Sequence, residues 1–444
     1  MVMSLRLPGR RTEQRGLRLW PVGIALCLAF LTAILVASAV FYTGWDLLGA
    51  RGMKAQPQID SKTLFDLVKL SFGVVAGAGA LVALVVAYRR QRVDEDGALR
   101  DATRLHTERF TTAVSQLGDG SPAVRLGGVH ALAGLADDAP TRDLRQTCID
   151  VLCAYLRLPY TAKSALPAND PEALHTYLAL REVRHTIIRL IRDHLRHPAD
   201  HPHSWQGHDL DFTGSVFDGG DFSGAVFSGG TVNFADATFS SGTFRFLNST
   251  FRGGTVNFTG AKFADGTVGF NNATFDGATV TFLRTEYTGA TVVFNEAAFT
   301  DGTVAFNNAA FRSGTVNFVR TKFLGGTVNF RTSTVDGGTI NFTDARLDGS
   351  SVHFTGMTVL DGNFRFKRTR FEGGTVLFKG SSFRGGSVTF PRAVFARSTV
   401  VFNSTTFGGG VVTFAQATGN APVGLPGVGG GAPTPTGLVL ATGW

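Results

Sequence analysis

The sequence predicts two transmembrane helices, a small all-α segment, and then a β-solenoid of 12-residue repeats. Three observations carry this: two long uncharged runs near the start, apolar stripes at helical spacing in the middle, and one 12-residue phrase repeated from Gly230 to about Thr413. At 444 residues and 43% apolar content the chain holds material for two or three domains. The expected divisions are a basic N-terminus (1–19), a two-span anchor (20–88), a helical spacer or cap (89–200), the solenoid (205–414) and a Gly/Pro-rich flexible tail (415–444).

Pro21 to Trp45 carries no charge, and Leu70 to Tyr88 is a second uncharged run. Each is long enough to cross a hydrocarbon core of about 30 Å. Arg6, Arg10, Arg11, Arg15 and Arg18 precede the first run, and Arg89, Arg90 and Arg92 follow the second. The connecting loop mixes Arg51 and Lys54 with acidic residues. Basic flanks stay inside, so a multi-pass cell-membrane protein is expected, with the N-terminus and the C-terminal domain cytoplasmic. A cleaved signal peptide is the rival reading, because Ala37-Ser38-Ala39 has the small residues of a cleavage site. The length of the apolar run argues against it.

Between 91 and about 198 the spacing becomes helical. Val124, Leu126, Val129, Leu132 and Leu135 form one stripe, and Cys148, Val151, Leu152, Tyr155 and Leu156 another. A third runs Leu174, Tyr177, Leu178, Val183, Ile187, Ile188, Ile191 and Leu195. Ser121-Pro122 marks a helix start, and Asp137 to Pro140 a break. Two readings fit these stripes: a spacer that covers the start of the solenoid, and helical hairpins that bind a partner. Cys148 and Cys153, five apart in a helix, are expected as core thiols.

The repeat is read from Thr231-Val232-Asn233-Phe234-Ala235-Asp236-Ala237-Thr238-Phe239-Ser240-Ser241-Gly242. A Val-like residue recurs every twelve positions from Val232 to Val412, giving sixteen copies without insertion. A fixed period of this size marks a solenoid. Val-x-Phe alternates in, out, in, as on a strand, and a small residue such as Ala237 or Ser249 precedes the second Phe by two. Gly pairs such as Gly253-Gly254 close the unit where the backbone turns with positive φ. One 12-residue unit per coil makes a flat, two-sided solenoid. Two per coil make a four-sided one of eight or nine coils, spanning roughly 40 Å.

At the start of the repeat Phe212, Phe217, Phe222 and Phe227 are spaced by five, with Ser215, Gly220 and Ala225 two before the later three. This resembles the pentapeptide-repeat proteins, and the resemblance implies a right-handed, four-sided β-helix in which Phe and the small residue both point inward. Arg109 to Gly118, Ala123 to Val129 and Val151 to Arg157 are similar to a helical segment that precedes the pentapeptide domain in many bacterial membrane-anchored members. That branch supplies architecture rather than activity.

No catalytic, cofactor-binding or metal residue is assigned. His194, His197, His201, His203 and His208 cluster without an interleaved Cys or carboxylate pattern, and Pro198 and Pro202 point to a linker. The Trp205 that follows is expected to cover the open end of the first coil. Acidic residues in the repeat, Asp218 among them, stand at turns before Gly.

The function expected is a non-enzymatic, membrane-anchored scaffold that presents a rigid β-helix to a protein partner in the cytoplasm. The alternative is a nucleic-acid-related role, either DNA mimicry or a basic patch at Arg365, Lys367, Arg368 and Arg370. From Asp209 to Arg397 there are 15 Asp plus Glu against 17 Lys plus Arg, too balanced for a mimic of DNA, so no nucleic acid is expected. The last coil, Gly408 to Phe414, is apolar and uncharged. It needs a cover, either a second copy in a homodimer or Leu438 to Trp444 folding back in cis.

Overall fold

A computed structural model describes residues 22–47, 60–429 and 433–444. The basic N-terminus and the loop arginine and lysine (Arg51, Lys54) lie outside the described residues. The chain divides into two compact units, one through Thr103 and one from Arg104.

In the first unit, α1 spans Val22–Leu47. α2 spans Ser61–Leu117 and continues into the second unit. The helix that holds the second apolar run thus runs on without a break into the segment expected to be helical from 91. The following stretch has no proline, and its polar side chains pair one turn apart: Gln91 Nε2 donates to Glu95 at 3.0 Å and Arg92 Nε to Tyr88 at 3.2 Å. Among the described residues one helix, within Leu64–Leu117, is long and apolar enough to cross a membrane. Leu70, Phe72 and Leu84 on it are about 70% exposed.

The second unit begins with a helical segment. α3 (Pro122–Asp137), α4 (Arg142–Arg157) and α5 (Pro171–Arg196) follow the end of α2. The start at Ser121-Pro122 and the break before Pro140 are as expected. Thr141 caps α4 by accepting from Leu144 N, and Asp170 caps α5 by accepting from Ala173 N. Val129, Leu132 and Leu135 meet Ile149, Leu152 and Leu156 and the α5 stripe from Val183 to Leu195 in one core. Val124, Leu174 and Leu178 were expected in these stripes but stay exposed: Val124 and Leu174 stand in the first turns of α3 and α5, and Leu178 is exposed although its neighbour Tyr177 is buried. Burial pushes the Cys148 thiol up to about 11 and Cys153 to about 12, and neither is in a disulfide. They are core groups.

From Leu210 the chain winds into four parallel sheets, nine strands in three of them and ten in the third face. Strand Thr279–Thr281 pairs with Thr255–Asn257 before it and Thr303–Ala305 after it, a step of 24 residues. Two 12-residue units therefore make one coil, and the solenoid has four sides. Val316, Phe318 and Phe323 are buried while Asn317 between them faces outward, so the expected register holds. Most Phe stack on an equivalent Phe one coil away: Phe234, Phe258, Phe282 and Phe306 are nearly parallel, with neighbouring centroids 4.6–4.8 Å apart. That is the inter-strand spacing, so the backbone ladder and the aromatic ladder share one repeat.

Half of the corners turn in most copies at a Gly pair or an Asp-Gly or similar pair with one Gly, as at Gly254 (φ 66°) and Gly266 (φ 78°). The other corners turn on a residue in the left-handed region that is often not Gly, such as Asp236 (φ 56°), Arg284 (φ 55°) and Thr332 (φ 55°). The next coil compensates for this strain: Asp236 N donates to Thr259 O and Arg284 N to Asn307 O.

The residues after 414, expected as a flexible tail, instead complete the solenoid. Thr418–Gly419 pairs on the fourth face and Val423 bridges to Val401. Leu438–Val439 pairs parallel to Val412 and Thr413 on the third face. Trp444 packs 5.4 Å from Phe395 and 5.3 Å from Phe414, and its Nε1 donates to Gly419 O. The Gly-Pro turns let the chain double back, and the apolar ends Leu438 and Ala441 give it something to bury.

Candidate functional site: the cap on the first coil

A solenoid leaves unpaired N–H and C=O groups on its outermost coil. On the first coil those carbonyls meet arginines from α4 and α5. Arg142 Nη2 donates to Gly207 O at 2.6 Å and Arg184 Nη2 to Val216 O at 2.6 Å. Arg196 Nε donates to Ser223 O at 2.7 Å, and Arg157 reaches both the carbonyl and the carboxylate of Asp211. Gln146 adds a bond to Asp209 O at 2.7 Å. These contacts favour the cap reading of the helical segment.

The centre of the junction is Asp218, whose side chain is 3% exposed. It accepts from Tyr160 Oη at 2.8 Å and Tyr177 Oη at 2.5 Å, with His185 Nε2 at 3.4 Å and Arg181 Nε at 3.5 Å. Burial alone raises a carboxyl pKa, but here the bonds from His185 and both tyrosines outweigh it and hold Asp218 well below the usual range. Burial and the neighbouring Asp218 push the Tyr160 phenol up. Arg184, itself buried, lies 4.2 Å over the Tyr160 ring and also bonds Leu156 O at 2.8 Å.

This corner differs from all later ones. Phe217 and Phe222 are five apart, whereas Phe239 and Phe246, one coil on, are seven apart. The first coil is thus two residues short between its second and third faces, and its third face starts at Gly220 where the next coil has Phe244. A Cβ at Gly220 would lie 2.5 Å from the Phe244 ring and 3.3 Å from Ile188 of α5. The missing side chain is what lets α5 close on the coil. A polar cleft of about 390 Å³ opens at the short corner, lined by Arg181, His185, Arg189 and Arg192 of α5 and by Asp218–Asp221, Gly242, Thr243 and Arg245 of the coils.

The histidine cluster lies on the other side of α5. His194 stacks on Trp205 at 4.1 Å, with Nε2 3.1 Å from Asp137 Oδ2 and Nδ1 2.6 Å from Leu190 O. Burial lowers its pKa, but these two acceptors outweigh burial and raise it. His208 is held on Gln146 at 2.9 Å, and burial beside Arg142 and Arg145 lowers it to about 4. Among the described residues no three His, Cys, Asp or Glu side chains are placed to hold a metal. Trp205, expected over the open coil, is buried against His194 and donates to Asp137 at 3.3 Å. The cover itself comes from α4 and α5.

Sequence reasoning treated Asp218 as ordinary turn chemistry, placed Tyr177 only in an apolar stripe, and did not single out Tyr160, Arg184 or His185. The signal that could have found the site is the change of Phe spacing from five to seven.

Residues 212–262 match the family model of pentapeptide repeats (9 copies). The match covers the short first coil, the second coil and the start of the third. No curated protein and no solved structure matches the chain.

Proposed function

We propose that the chain is a non-enzymatic, membrane-anchored interaction scaffold, with α1 and the apolar part of α2 in the cytoplasmic membrane and both ends of the chain in the cytoplasm. The observation that carries it is that both end coils are covered by the chain itself while, among the described residues, each of the four faces carries exposed outward side chains. Those sides are regular. Asn257 bonds Asn233 and Asn341 bonds Asn317 across one coil step, and Glu296–Arg320 and Asp344–Arg368 pair along one corner. A surface of fixed spacing suits recognition of a protein partner by a face rather than by a pocket. The exposed apolar side chains of α2 support a lipid environment, since such a helix is costly to hold in water.

The nucleic-acid alternative has less support. Of the four residues in the basic patch, Arg368 is engaged by Asp344 and Arg370 lies 3.5 Å from Glu372. A homodimer through the last coil loses its original reason, because Leu438–Val439 already pairs with the Val411–Thr413 edge.

The test is photo-crosslinking in native membranes from one outward position per face: Thr279, Lys262, Arg365 and Lys322. A discrete adduct from one face, absent from the others, is expected. No adduct from any face would contradict the scaffold reading. Separately, a cytoplasm-only reporter fused after Trp444 should be active, and activity of a periplasmic reporter there would contradict the topology.

A further inference from the structure

We propose that the cleft at the short corner of the first coil binds a phosphate-type dianion. Four arginines line it, and two of them are neutralised. Arg192 bonds Asp221 at 2.7 Å and Asp193 at 2.9 Å, and Arg181 faces Asp218. The other two have no carboxylate partner among the described residues. Arg189 reaches only the Thr186 hydroxyl, at 3.2 Å. Arg245 stands beside Asp221 in register, but the Asp221 carboxylate is taken by Arg192.

The two unneutralised arginines come from different elements, α5 and the second coil, and line one recess together with Gly219, Gly220 and Gly242, which bring no side chain into it. Neither ties the cap to the coil, unlike Arg142, Arg157, Arg184 and Arg196. Two planar forks that bond oxygen pairs, with about two positive charges to match, suit phosphate, which carries roughly −1.5 to −2 near pH 7. A monocarboxylate would leave one guanidinium unmatched. The volume admits a phosphate with a small carrier attached.

The test uses the full chain in detergent, titrated calorimetrically at low salt with inorganic phosphate, acetate and dihexanoyl phosphatidic acid. One saturable phosphate site is expected, with acetate at least about tenfold weaker. Arg189→Gln and Arg245→Gln should each weaken phosphate about tenfold, the worth of one charge-assisted contact. Arg384→Gln, exposed in a distant coil, should change nothing. Tighter binding of phosphatidic acid than of phosphate assigns the dianion to a lipid headgroup, and equal binding to a soluble phosphorylated molecule. Absence of saturable phosphate binding, or unchanged binding in the double variant, overturns the proposal. So does a lower melting temperature of the ligand-free double variant, since that makes the two arginines part of the clamp.

Discussion

At its first coil the solenoid meets arginines, a buried carboxylate and a stacked histidine; at its last it meets a strand and a tryptophan of its own chain. The first closure is built from charge. Guanidiniums satisfy the carbonyls of the outer coil, and Asp218 ties two tyrosines and a histidine to the corner. The second is apolar: no charged side chain occurs after Arg397. Backbone pairing by Leu438–Val439 and burial of Leu425, Leu438 and Ala441 do the same task. A repeat can extend itself by its own rule, but each end needs a separate device. Here the two devices respond to different conditions.

Between the ends the ladder sets the reference. Phe318→Ala removes a ring stacked on Phe294 at 4.8 Å and Phe342 at 4.7 Å, and should destabilise the solenoid by about 3–5 kcal/mol in chemical denaturation. A cost as small as that of an outward residue would refute the register.

The charged end comes next. Arg184→Met strands the carbonyls of Leu156 and Val216, and should cost about 2–4 kcal/mol of stability at the cap. Amide exchange should quicken along Leu210–Asp211 and stay unchanged at Val411–Thr413. Equal quickening at both edges would mean that the ends are not independent.

A smaller effect separates the ends by pH. Asp218 titrates lower folded than unfolded, so its contribution is present above the usual carboxyl range near pH 4 and is lost as pH falls through the folded value. His194 titrates higher folded, so its contribution is full below about pH 6.5 and is lost as pH rises through the folded value. Exchange at the first coil should therefore quicken both in acid and above neutrality, after correction for the intrinsic rate. The last coil should follow the intrinsic rate alone, and a matching pH profile at both ends would undo the contrast. Smallest of all, Asn317→Ala, on the outward face, should change stability by no more than about 0.5 kcal/mol.

The middle of the molecule was legible in the sequence because a repeat states the same rule many times. Val316, Phe318 and Phe323 point inward for the reason that Val232, Phe234 and Phe239 do, and any one copy can be checked against the others. The four-sided form was only implied by the family resemblance that Phe spaced by five carries, and the 24-residue pairing step is what decides it. The ends were less legible, since each occurs once. Asp218 looks like any Asp before Gly, and only its contacts to Tyr160 and Tyr177, 58 and 41 residues away, set it apart. Gly and Pro in the tail indicated turns correctly but not what the turns would bring back. The left-handed corner at Arg284 and Thr332 was hidden because those residue types disfavour it alone, and only the bond to the next coil holds it.

The claim on which the account rests most is that the chain closes its own last coil. Hydrogen exchange at the amides of Val412 and Phe414, which donate to Gly437 O and Val439 O of the returning tail, compared between the full chain and a chain ending at Gly419, tests it directly. The account predicts strong protection in the full chain, loss of protection on truncation, and no change at Leu210–Asp211. Rapid exchange at Val412 and Phe414 in the full chain, or protection of these two amides that survives truncation, would contradict it.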